Sequence, residues 1–250
     1  MLTLTEKLLF PTIVLLSLAL SYRNFRLVFE IVCRGQPDLA LDALPQRIWR
    51  ALEVFLSQRT VLRARPGTSL LHAFVAWGFT YYFLVNFGDV LEGFIPHFRF
   101  LGDGVPGGLY RLGADLLSVA VLVGVIYFLI RRFGAPARPL TIAENVKLHP
   151  KAAAGMRRDS LIVGVFILLH VGFRFLGASA VIAAHGADGW QPFGSLAAGL
   201  WAGLSPAGLV VLEHATWWLA LGLILIFMPF FPYSKHLHLI MAPINYLTRP

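Results

Sequence analysis

The chain has 250 residues, 57% of them Ala, Val, Ile, Leu, Met, Phe, Trp, Tyr or Cys and only 14% charged; its mean hydropathy is +0.70. Ordinary soluble domains are about 45 to 50% apolar and about 25% charged, so this composition excludes a water-soluble globule and points to a polytopic membrane protein. A net charge of +8 does not signal nucleic acid here, because the basic residues are parcelled between hydrophobic stretches, and the single cysteine, Cys33, excludes an internal disulfide, an all-cysteine zinc site and an iron-sulfur cluster on this chain.

A hydrocarbon core of about 30 Å takes about 20 mostly apolar helical residues. Five stretches meet or approach that length: residues 8–32, 68–91, 112–130, 160–183 and 208–231. They predict an all-α integral membrane bundle of five transmembrane helices, one membrane domain over residues 1–250. The first stretch carries Arg23, Arg26 and Glu30 in its last third, so its spanning part ends near Tyr22 and a wet helical extension follows. Lacking a small-residue cleavage motif, it reads as an anchor rather than a removed signal peptide.

Between the first two spans, residues 44–62 place Ile48, Leu52, Phe55 and Leu56 on one helical face and Arg47, Arg50 and Arg59 elsewhere. That pattern predicts an amphipathic helix lying in the membrane interface. The Gly-rich run GDGVPGG at 102–108 lacks the strand and helix context of a phosphate-binding loop. Charge sorts the connections. Residues 22–67 hold eight Arg, residues 131–158 seven Lys or Arg, and the tail adds Lys235 and Arg249. The alternate loops, 92–110 and 184–208, hold Arg99 as their only basic residue. The positive-inside rule then puts the N-terminus outside and the C-terminus inside.

Ionisable residues at membrane depth mark function by default. His72, His170 and His214 lie in or at the edge of spans, His236 and His238 follow the fifth span, and His97, His149 and His185 fall in loops. A haem b held between two helices needs two neutral imidazoles facing each other across the bundle core at matching depth. At 1.5 Å per residue, His72 lies close to the inside face, where the fifth span exits. His236 or His238 meets it there if that helix continues past Pro232. His170 sits near mid-membrane with Arg174 one turn on, and it meets His214 only across an offset of about 10 Å. Arg174 offers a partner to a haem propionate; snorkelling or pairing with Glu213 are its other uses. Trp217 and Trp218 are placed to pack on a flat ring or to serve as an aromatic belt.

The segments QRTVLRARPGTSLLHAFVAWGF (58–79), RDSLIVGVFILLHVGF (158–173) and WWLALGLILIFMPFFPYSKHLHLIMAPINYL (217–247), the last with its SKHLH element, carry a resemblance that covers almost the whole chain. The chain resembles the five-helix cytochrome b membrane domain of nitrate reductase gamma subunits and heterodisulfide reductase membrane subunits. It is most similar to the N-terminal membrane part of quinone-linked iron-sulfur oxidoreductases. The resemblance implies His72, His170 and His214, with His236 or His238, as haem ligands. It departs where many relatives read WWxH and this chain has Ala220, which leaves one or two haems open. Relatives continue after PYSKHLH into a domain with ferredoxin-type clusters and CCG motifs, whereas this chain stops at Pro250. The clusters are therefore expected on an inside-facing iron-sulfur subunit or domain, docked by basic loops such as 131–158, with an electron-transfer flavoprotein beyond it.

The function so implied is electron transfer between a membrane quinone pool, menaquinone or ubiquinone, and that partner, in the respiratory membrane of a bacterial or archaeal cell. Asp89, Glu92 and Glu213, grouped by depth near the outside face, are the candidate proton carriers of a quinone site, with a site near His72 as the other possibility. Two other readings stand beside this one. One is a haem-free anchor recruiting a soluble oxidoreductase; the other is a transporter with a histidine proton relay.

Overall fold

A computed structural model describes residues 2–35, 42–135, 140 and 146–248. Among these the secondary structure is all helical: α1 (Leu4–Val32), α2 (Leu44–Ser57), α3 (Arg59–Ala64), α4 (Pro66–Phe94), α5 (Val105–Leu129), α6 (Pro150–His185), α7 (Pro192–Ala198), α8 (Pro206–Phe227) and α9 (His238–Thr248). Five of them, α1, α4, α5 with the π-turn Ile130–Gly134, α6 and α8, are long and apolar enough to cross a membrane. Parts of the 131–158 loop, and Arg249, lie outside the described residues.

The bundle is apolar outside and small or polar inside, the reverse of a soluble protein. On α1, Leu15 and Leu16 are 68% and 61% exposed while Ser17 and Ser21 are buried. Without a hydrophobic force between helices in lipid, close approach and hydrogen bonds hold the bundle. A Cβ at Gly78 would lie 2.2 Å from Val121, and one at Gly177 2.6 Å from the Thr216 hydroxyl. These two glycines therefore set how closely α4 meets α5 and α6 meets α8. Tyr82, Val85, Ala114, Val121, Val125 and Val171 form the core between α4, α5 and α6; Phe10, Leu221 and Leu225 form a second one between α1 and α8.

Several boundaries differ from the sequence reading: α5 begins at Val105 instead of residue 112 and α6 at Pro150 instead of residue 160, and two further differences bear on the site. The 44–62 helix is interrupted at Gln58, whose left-handed backbone (φ 49°) ends α2 and starts α3. The last span stops at Phe227 instead of running to residue 231. Pro229 has no N–H to give the Leu225 carbonyl four residues back. That carbonyl accepts instead from the Ser17 hydroxyl at 2.6 Å, and the Pro229 carbonyl accepts from the Asn24 amide at 2.8 Å, so α1 satisfies what the proline leaves open. Two short 3-10 turns, Phe231–Tyr233 and Lys235–Leu237, then turn the chain into α9, which packs on α2.

Candidate functional site: a histidine-lined cavity

A cavity of about 810 Å³ opens between α4, α5, α6 and the turns after α8, and His72, His170, His236 and His238 all line it. Each is delivered differently. His72 sits in the second turn of α4 and His170 is buried midway along α6. His236 and His238 arrive because the chain stops being α-helix at Phe227 and folds inward. The meeting expected from a helix continuing past Pro232 is made by its interruption instead.

The ring centroids of His72 and His238 are 6.5 Å apart with planes tilted by 42°. Nδ1 of His238 donates to the Lys235 carbonyl, and Nδ1 of His170 donates to the Ala220 carbonyl at 2.9 Å. With Nδ1 carrying the proton, each leaves Nε2 as a bare lone pair, the arrangement that second-shell carbonyls impose on metal-binding imidazoles. His236 is held in a cage of Phe79, Phe166, Phe227 and Phe231, with ring centroids 5.2 to 6.2 Å from its own. Burial first, and then the neighbouring His238 and Lys235, push its pKa down to about 4, so the ring is neutral at physiological pH.

Three buried polar side-chain atoms lack a hydrogen-bond partner among the described residues: His72 Nδ1, His236 Nδ1 and Asn86 Oδ1. All three residues line this cavity. Native interiors satisfy nearly all such groups, and exceptions mark an absent water, ion or ligand. Tyr82, also on the wall, has spent its proton: its hydroxyl donates to Ser118 Oγ at 2.7 Å, and Ser118 passes its own hydrogen to the Ala114 carbonyl.

At the other end of the bundle, a smaller pocket of about 200 Å³ gathers Asp89, Glu92, Arg174, Glu213 and His214. The three carboxylates grouped by depth in the sequence thus share one wall. Arg174 is fastened to Asp89 by a two-pronged ion pair, Nε and Nη2 at 3.1 and 3.2 Å from its two oxygens, and does not line the histidine cavity. Nor does His214: its Nδ1 lies 2.9 Å from the Glu6 carboxylate, which also accepts from Trp218 Nε1 at 2.9 Å. His170 and His214 are therefore not brought together. Trp217 Nε1 donates to the Asp89 carbonyl, and both tryptophans pack on Phe10. The loop histidines are local: His149 accepts from Lys151 N–H at the start of α6, and His185 bonds Val181 one turn back.

Sequence reasoning missed Glu6, and it missed Asp115, a buried carboxylate in α5 that accepts the Phe193 and Gly194 N–H groups at 2.8 Å and so fixes α7. A capping box, Thr3 with Glu6, was a readable signal for the first; Asp115 inside an apolar span was one for the second.

Two proteins resemble the chain. The EtfAB:quinone oxidoreductase of Syntrophomonas wolfei is 24% identical over 224 residues, 83% of this chain and 28% of that protein. A Bacillus subtilis protein named "Probable iron-sulfur-binding oxidoreductase FadF" is 24% identical over 214 residues, 84% of this chain and 28% of its own length. The chain thus spans 28% of the length of each of these relatives. No protein-family profile matches it, and no solved structure does.

Proposed function

We propose that the chain is a haem b membrane subunit that passes electrons between a quinone pool in the bilayer and an iron-sulfur partner on the inside face. The observation that carries this reading is the cavity itself, with four imidazoles on one apolar, aromatic wall and three unpartnered polar atoms facing one space. Among the described residues no group of three His, Cys, Asp or Glu is arranged for a bare metal ion, whereas a haem held between helices would take imidazoles from the protein. His72 and His238 would hold it in this reading. Their rings stand 6.5 Å apart on the cavity wall. One haem is favoured over two, because the pocket that holds His214 has only about 200 Å³.

A haem b bound there supplies a one-electron carrier at membrane depth. The residues do the rest. The carbonyls of Lys235 and Ala220 fix the tautomers of His238 and His170, and the phenylalanines around His236 keep water out. Asp89, Glu92 and Glu213 carry protons for quinone chemistry at the far pocket, which faces outside if the basic loops face in. In the same reading α2 lies in the inside interface, the basic inside loops dock the partner, and the membrane is that of a bacterial or archaeal cell. The relatives' names, an oxidoreductase acting on quinone and an iron-sulfur-binding one, support the substrate and partner classes.

A reduced-minus-oxidised visible spectrum of the purified protein, with pyridine haemochrome quantitation, tests the reading. The expected result is a b-type spectrum at one haem per chain. Folded protein made with haem available and showing no such band would overturn it in favour of an anchor.

A further inference from the structure

The charge on the cavity wall has one sign. Arg131, Arg132 and Lys235 line it, and no Asp or Glu does among the described residues. The two arginines stand on the π-turn Ile130–Gly134, where the span ending in α5 widens; such turns recur at functional sites. Lys235 comes from the 3-10 turn that also delivers His236. Its N–H donates to the Asp159 carboxylate at 3.2 Å and its ammonium to the Ser160 hydroxyl at 2.9 Å, which hold it at the wall. Arg132 is steadied from the other side, donating to the Leu140 carbonyl at 3.1 Å.

These cations gather at one end of the cavity. The hydroxyls of Thr68, in the first turn of α4, and Tyr127, near the end of α5, are 3.3 Å apart, so the π-turn lies level with the start of α4. Tyr82 is ten residues deeper than His72 on α4, about 15 Å along the axis. The cavity therefore runs from a cationic mouth to a depth that no Arg, Lys, Asp or Glu lines among the described residues. An acidic group inside it finds counter-charge only at the mouth, since Arg174 is occupied by Asp89 and lines the other pocket.

We propose that Arg131, Arg132 and Lys235 form a clamp for the two propionates of the haem, fixing its acid edge at the mouth and its hydrocarbon edge toward Tyr82 and Val171. The proposal rests on the haem reading above. A carboxylate buried without a cation is strongly disfavoured, and a guanidinium fork matches it with two parallel hydrogen bonds. The clamp also sets the carrier's potential: cations beside the propionates favour the reduced iron, so removing them lowers the midpoint.

The test compares iron protoporphyrin IX with its dimethyl ester, which keeps the ring and removes both acid charges. Binding of each to haem-depleted full-length protein in detergent is followed by the absorption spectrum. Wild type is expected to bind the diacid tighter than the diester by about tenfold or more, the scale of hydrogen bonds to charged groups. Arg131→Gln with Arg132→Gln is expected to erase most of that preference and to shift the midpoint downward. Arg131→Lys with Arg132→Lys is expected to keep a part of both, which separates charge from folding. Equal binding of diacid and diester by wild type overturns the clamp while leaving the haem reading intact, and needs no variant to fold. So does an unchanged preference in the Gln variant, as would follow if these cations served lipid phosphates instead. Failure of folded wild type to bind either porphyrin overturns both.

Discussion

At the start of α1, polar groups have found one another. The Glu6 carboxylate accepts from the Thr3 N–H and hydroxyl at 2.7 and 2.8 Å, and from His214 and Trp218 at 2.9 Å each. Nearby, Asp89 neutralises Arg174. In the other cavity, the imidazoles of His72 and His236 and, further along α4, the amide of Asn86 stay unpartnered among the described residues. Both ends place histidines at membrane depth, where each polar group is costly. One end spends its histidine on holding α1 to α8; the other leaves His72 and His236 without a protein partner, and under the proposed function that difference separates a structural from a ligand-binding use of the same side chain.

The largest effect comes from exchanging the two histidines' fates. His72→Ala is expected to abolish nearly all bound haem, whereas His214→Ala keeps the full complement, both read as pyridine haemochrome per folded chain. Equal half-losses in the two variants would instead mean two haems, one at each end, and a ligand-binding role for His214 as well.

Next in size is the ion pair. Arg174→Ala strands the Asp89 carboxylate in a buried setting, and breaking one partner of such a pair costs about 3 to 5 kcal/mol. Unfolding in detergent should show that loss, and Asp89→Ala with Arg174→Ala together should recover much of it, while haem per folded chain stays constant. If Arg174→Ala sheds haem without losing stability, the arginine serves the cofactor and not the bundle.

The five spans were readable because the apolar stretches are long and their flanks charged, although α5 and α6 start seven and ten residues earlier than hydropathy placed them, and the grouping of Asp89, Glu92 and Glu213 followed from counting depth. Depth says nothing of azimuth, however. His170 and His214 could be compared in height but not in facing, and Arg174 and Asp89, 85 residues apart, gave no sign of pairing because they lie on different helices. The approach of His238 to His72 was anticipated for the wrong reason. Pro229 was visible, but its effect depends on whether a neighbouring helix satisfies the freed Leu225 carbonyl, and Ser17 does so from 208 residues away. Tertiary partners decide such boundaries, and a sequence shows only that a partner is needed.

The smallest effect belongs to the loop that closes the Glu6 end. Asp188 is partly buried, which alone would raise its pKa, but the Trp190 N–H, the Gln191 amide and Arg111, at 2.9 to 3.1 Å, hold it below the ordinary aspartate value of 3.8. A carboxylate whose folded value is depressed takes up protons more readily in the unfolded chain. Its contribution is therefore complete above that ordinary value and disappears as pH falls through the lower folded one. Asp188→Asn, which leaves a weaker acceptor, should cost about 1 kcal/mol near neutral pH and progressively less as the wild type is itself protonated below pH 3.8. Thermal unfolding of the two proteins across that interval is the measurement. Curves that stay parallel down to the lowest pH would mean that Asp188 serves the loop through its shape and not its charge, whereas the Glu6 end as drawn here is held by paired charges.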